Sequence, residues 1–123
     1  MARILVVDDE NDFRAQVVAA LISEKFEVLE ANNGADALDL AKRHHPDLII
    51  SDVIMDSGTG FMLRELLKED ARTTSIPLIL MTGVAFKAGA WESDPEVEYL
   101  AKPFGVSELL STVKRKLNRK VGP

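Results

Sequence analysis

Five short apolar runs recur along the chain: "RILVV" at 3–7, "FEVLEA" at 26–31, "DLIIS" at 47–51, "PLILM" at 77–81 and "EYLA" at 98–101. In the first, third and fourth the apolar residues are consecutive rather than alternating, the pattern of strands covered on both faces. The intervening stretches change to helical spacing. Phe13, Val17, Ala20 and Leu21 share one face at i, i+4, i+7 and i+8, and similar faces arise from Leu63, Leu66 and Leu67 and from Val106, Leu109, Leu110, Val113 and Leu117. Asn33-Gly34 and Ser107 stand where helix N-caps belong, and Pro46 and Pro77 close the segments before two of the strands.

Strand and helix therefore alternate about five times, which predicts an α/β domain over residues 1–123: a doubly wound, five-stranded parallel sheet with helices on both faces. The stretch "GVAFKAGAWESDPEV" at 83–97 departs from the pattern. The alternation demands a fourth helix there, but Gly83, Gly89 and Ser93-Asp94-Pro95 are poor helix material, so a short or irregular element is expected.

Composition narrows the class. Apolar residues make up 46% of the chain and charged residues 28%, an ordinary globular balance. No apolar run approaches the roughly 20 residues of a membrane span, and no signal-peptide pattern opens the chain. The lack of cysteine rules out disulfides and thiolate chemistry and suggests a cytoplasmic location. A net charge of -5 speaks against nucleic-acid binding. The basic run "KRKLNRK" at 114–120 is read as cations at a helix C-terminus.

Open parallel α/β sheets bind ligands beyond the carboxyl ends of their strands. The first run ends at Asp8-Asp9, the third at Asp52, the fourth at Thr82 and the fifth at Lys102-Pro103; only the second, near Asn32-Asn33, offers nothing distinctive and is expected to be an outer strand. Two carboxylates ~4 Å apart repel by about 4 kcal/mol at an effective dielectric near 20. Such a cluster takes up protons or a cation, and hard oxygen ligands suit Mg²⁺. A carboxylate is also a nucleophile toward phosphorus, and the charge it acquires needs a metal, an ammonium and a hydroxyl around it. Singly, each residue has a structural explanation: acids at a helix N-terminus, a turn at Asp52, a β threonine, a solvated lysine. Together, at the ends of successive apolar runs, they point to one site.

With these residues in place the chain resembles the receiver domains of two-component response regulators. "VVDDE" is similar to the family's acidic pair, "DVIM" to the segment that begins with the phosphoacceptor, and Lys102-Pro103-Phe104 to the "KPF" signature, with Thr82 at the hydroxyl position and Tyr99 at the switch aromatic. The resemblance implies a flavodoxin-like fold with strand order 2-1-3-4-5. It implies that Asp52 accepts a phosphoryl group from a phosphohistidine on a sensor histidine kinase or a histidine phosphotransfer protein. Mg²⁺ would be bound by Asp9, Asp52 and the backbone carbonyl of Ile54, with Asp8 acting through water. Lys102 would pair with the phosphate while Thr82 and Tyr99 switch. Such a protein catalyses its own phosphorylation and is not an enzyme in the ordinary sense; no output domain, nucleic acid or membrane is expected.

The departures from the family pattern lie around the site. Asp56 stands in place of a proline, Thr59 in place of an acid and Gly83 in place of an alanine. The resemblance implies that the residues two after the phosphoacceptor and two after the threonine flank the path of an attacking water. Here they are Ile54 and Val84, apolar and unable to orient it, which predicts slow self-dephosphorylation. A phosphorylation-independent interaction module on the same fold is the alternative; against a flavodoxin-like cofactor binder, the chain has neither a phosphate-cradling loop after the first strand nor a surplus of aromatics. Of the remaining residues, His44-His45 are read as a solvated helix end and Phe104 as an anchor for the last helix. Trp91 is read as cover over core left open by a broken helix or as an exposed contact for a partner, the first being preferred. Met55, Met62 and Met81 are expected in the interior.

Overall fold

The structure is a computed structural model that describes residues 2–55, 58–83 and 97–121. Its elements are β1 (Arg3–Val7), α1 (Asn11–Ser23), β2 (Glu27–Ala31), α2 (Gly34–His44), β3 (Leu48–Asp52), β4 (Ile54–Met55), β5 (Gly58–Thr59), α3 (Gly60–Lys68), β6 (Leu78–Thr82), β7 (Val97–Ala101) and α4 (Val106–Val121). The expectations for Asp56, Val84, Trp91 and the fourth-helix segment from 84 to 96 lie outside the described residues, as does the Met55 side chain.

Five strands pair in parallel in the order β2-β1-β3-β6-β7, the expected 2-1-3-4-5 counted along the sheet. The consecutive apolar residues of its inner strands divide between two cores because successive side chains point to opposite faces. Leu5, Val7, Ile49, Leu78 and Leu80 face α2 and α3, meeting Ala37, Ala41, Leu63 and Leu67. Ile4, Val6, Leu48, Ile50, Ile79 and Met81 face α1 and α4, meeting Val17, Ala20, Leu21, Leu109 and Val113. β2 lies at the sheet edge, with Glu27 and Glu30 exposed. Among the described residues no helix is long and apolar enough to cross a membrane.

Several local expectations hold. The Asn33 side chain accepts from the Asp36 amide at 2.8 Å and caps α2. His44 ends that helix, and His45 follows in the left-handed region with φ of 48°. The basic run lies in α4, where Lys114 pairs with Glu24 and Arg115 with Glu98, each at 2.9 Å. Phe104 is partly buried against the α1–α4 core.

Others are corrected. Met62 is 58% exposed rather than interior, because α3 buries Leu63 and Leu67 and turns the side chains before them outward. Leu66 and Val106 are exposed for the same reason: each lies at the border of its helix's apolar stripe. Ser107 lies within the first turn of α4, since that helix begins at Val106. The antiparallel pairing of β4 with β5 was not foreseen; two-residue strands carry no periodicity.

Gly60 links the frame to the strand ends. Its amide donates to the Val53 carbonyl at 2.8 Å. A Cβ at this position would lie 2.6 Å from the Asp52 carbonyl oxygen and 2.7 Å from Leu80 Cδ2, so α3 approaches β3 as closely as only glycine permits. Helix propensity alone favours alanine by about 1 kcal/mol. Gly60→Ala is nonetheless expected to destabilise the fold by about 1–3 kcal/mol through overpacking, read as a lower urea midpoint at unchanged m-value.

Candidate functional site

The sheet register brings the strand ends level. Val7 pairs with Ala31 and Ser51, Asp52 with Met81, and Thr82 with Ala101. Asp8 and Lys102 therefore emerge from the same rim on which Asp52 and Thr82 end their strands. Asp8, Asp9 and Asp52 each offer a carboxylate oxygen, and these three atoms all lie within 4.8 Å of one another. Lys102 Nζ stands 3.4 Å from Asp52 Oδ2 and 3.6 Å from Asp8 Oδ2.

Asp8 is fully buried and held at three points. Its amide donates to the Ala31 carbonyl at 3.1 Å, extending the β1–β2 pairing. Its carbonyl accepts from Arg14 Nη1 at 2.6 Å, and Oδ1 accepts from the Glu10 amide at 2.9 Å. Arg14 is fixed in turn by Glu30, 3.0 Å away on β2. The remaining oxygen, Oδ2, is buried without a hydrogen-bond donor. Lys102 Nζ, 3.6 Å away, pairs with it in charge but lies beyond hydrogen-bond reach, so this buried oxygen costs stability unless a metal ion or an ordered water meets it. The Asp8 carboxylate that carries this oxygen, with those of Asp9 and Asp52, forms the hard-oxygen donor set that Mg²⁺ takes with part of its water shell retained, so the residues present fit the ion implied by the sequence.

The other expected residues are placed as follows. Ile54 begins β4, two residues after Asp52. Thr82 ends β6 beside the strand that ends in Asp52, and its carbonyl accepts from the Lys102 amide at 2.6 Å. Tyr99 lies opposite Leu80 on β7, partly buried against the α2–α3 core. Sequence reading overlooked three contributors. Arg14 carries no motif signal, Phe13 was absorbed into the apolar face of α1, and Gly60 carries no signal that separates it from an ordinary loop glycine.

Electrostatics at the rim follow from crowding. Burial pushes the Asp52 carboxyl above the ordinary aspartate value of 3.8; Lys102 opposes the shift and the neighbouring Asp8 adds to it. A carboxyl raised in the folded state favours folding while protonated, an advantage fully present below the ordinary value and lost as pH rises through the folded value. Asp52→Asn is therefore expected to raise the melting temperature of the metal-free protein at neutral pH. The difference should close as pH falls below the ordinary aspartate value and shrink when Mg²⁺ is added, since the ion stabilises the wild-type carboxylates. Calorimetry of both proteins across pH, with and without Mg²⁺, checks this.

Comparison with known proteins agrees with this geometry. The family model described as "Response regulator receiver domain" matches residues 4–114. The chain is 35% identical to the protein PilH of Pseudomonas aeruginosa, with 92% of this chain and 95% of that protein covered. It is 38% identical to the histidine kinase P4 of Formosa agariphila over 96% of this chain, which spans only 9% of that kinase's length. Among solved structures, the chemotaxis response regulator CheY4 of Vibrio cholerae superposes with a TM-score of 0.84 at 30% identity, covering 94% of this chain and 98% of that one. The sheet order, the acid cluster with its lysine and these matches lead to one conclusion: the chain belongs to the response regulator receiver domain family of two-component signalling, whose shared function is phosphoryl transfer onto an aspartate.

Proposed function

We propose that Asp52 is the phosphoacceptor of this receiver, and that its donor is a phosphohistidine on a sensor histidine kinase or histidine phosphotransfer protein. The observation that carries the reading is the meeting of Asp8, Asp9 and Asp52 with Lys102 Nζ 3.4 Å from the Asp52 carboxylate. A module that served only as a binding surface would have no need to bear the repulsion of three adjacent acids.

The Asp52 carboxylate attacks phosphorus as the bond to the donor nitrogen breaks. The leaving imidazole keeps that bond's electron pair, and the phosphoryl group becomes an acyl phosphate on Asp52. Asp9, Asp52 and the Ile54 carbonyl would hold Mg²⁺, with Asp8 acting through a water; when bound, the ion offsets negative charge on the phosphoryl oxygens. Lys102 pairs with one of those oxygens and leaves the carboxylates it neutralises before the reaction. The Thr82 hydroxyl turns toward the phosphoryl group, and the Tyr99 ring moves into the space this opens. Charge on Asp52 thereby biases a two-state element that a downstream protein can read. The reading carries a cytoplasmic location, in keeping with a cysteine-free chain.

Incubation with acetyl phosphate and Mg²⁺ is expected to add one phosphoryl mass to the wild type and none to Asp52→Asn, and beryllofluoride binding should follow the same pattern. Identical behaviour of the two proteins in both assays would instead support the phosphorylation-independent interaction module. Because Ile54 and Val84 offer no polar group to hold an attacking water, phosphorylated protein freed of donor should keep its label far longer than seconds at room temperature. Decay within seconds in the absence of a phosphatase would overturn the role given to those two positions.

A further inference from the structure

Lys102 is held from a third side. Its Nζ lies 4.2 Å from the centroid of the Phe13 ring, while the two carboxylate oxygens stand 3.4 and 3.6 Å away. Phe13 itself is braced: its ring meets Phe104 edge to face, with centroids 5.7 Å apart and planes at 79°. Phe104 follows Lys102 by two residues, so the aromatic pair ties the start of α1 to the loop that carries the ammonium.

The carboxylate contacts do not by themselves orient this lysine. Both exceed the 2.7–2.9 Å typical of charge-assisted hydrogen bonds, and Coulomb attraction at such a separation has little directionality. A lysine ammonium on its four-carbon stem has many hydrated alternatives. An aromatic face attracts a cation along the ring normal, and so gives the ammonium a defined place. Filling the α1 stripe would account for an apolar residue at position 13, but it calls for no ring face beneath the ammonium.

We propose that Phe13 is a positioning residue for Lys102: its ring face holds the ammonium against the Asp8–Asp52 oxygen pair, and the Phe104 contact fixes the ring. The inference rests on the reading of Lys102 as the phosphoryl group's counter-ion. It adds that the readiness of that counter-ion depends on an aromatic residue of α1, outside the acid–hydroxyl–lysine set.

The test compares Phe13→Leu, which keeps an apolar side chain but removes the ring, with Phe13→Tyr, which keeps the ring. In nuclear magnetic resonance the ε-methylene protons of Lys102 should be shifted upfield by the ring in the wild type and in Phe13→Tyr, and return to ordinary values in Phe13→Leu. Phosphorylation of Asp52 by acetyl phosphate, which needs no docking partner, should slow about three- to tenfold in Phe13→Leu and recover in Phe13→Tyr. Mg²⁺ affinity by calorimetry should not weaken, because all three carboxylates remain. In a Lys102→Ala background Phe13→Leu should slow the reaction no further. A fluorinated phenylalanine at position 13, of near-equal shape but weaker ring quadrupole, should act in the same direction as leucine.

Wild-type rates in Phe13→Leu, or an equal loss with and without Lys102, would overturn the positioning role. Absence of any Asp52-dependent phosphorylation in the wild type would instead remove the reading beneath it, and the Lys102 proton shifts would still decide whether ring and ammonium meet.

Discussion

Negative charge gathered at one rim of the sheet, and only partly balanced by Lys102, is the constraint on which the rest of the structure depends. Asp8, Asp9 and Asp52 repel one another, and burial of Asp52 raises the cost of its ionised form. A loose chain would relieve that repulsion by moving apart. The acids stay together because each is tied to a strand whose two faces are covered: Val7 and Ile50 are fully buried, as are Leu80 and Met81 on the neighbouring strand. The stability of the two cores thus holds together a cluster of acids that is electrostatically unfavourable by itself.

The supports around the rim share this work. Arg14 holds the Asp8 carbonyl and reaches Glu30, so the first acid is anchored to the edge strand as well as to its own. Gly60 lets α3 come close beneath the Asp52 carbonyl. The Lys102 amide donates to the Thr82 carbonyl, which couples the hydroxyl position to the lysine through one backbone bond. The strand end that carries Asp52 is thus tied to residues on several elements, in a protein whose family function is phosphoryl transfer onto an aspartate.

Most of the architecture was legible because both-face burial leaves consecutive apolar residues, as in Ile4–Val7, Leu48–Ile50 and Leu78–Met81. The site was legible for a related reason: functional groups in such sheets follow the strands, so Asp8-Asp9, Asp52, Thr82 and Lys102 are marked by what precedes them. Helix faces were less exact. Leu66 and Val106 matched an apolar stripe yet are exposed, since a periodicity states which residues align and leaves open how far the neighbouring layer extends. Met62 shows the same limit, as hydrophobicity is only a one-way guide to burial.

By itself the sequence determined the alternation of strand and helix, the ends of the inner strands and the chemistry waiting at those ends, because local periodicity and residue type are properties of short segments. Tertiary structure alone decided the separations: the Asp8 oxygen left without a donor, Gly60 against the Asp52 carbonyl, and the Phe13 ring beneath an ammonium 89 positions later in the chain. These contacts depend on how helices settle onto a sheet to within a fraction of an ångström, a quantity set by the packing of many side chains at once and written in no short stretch of them.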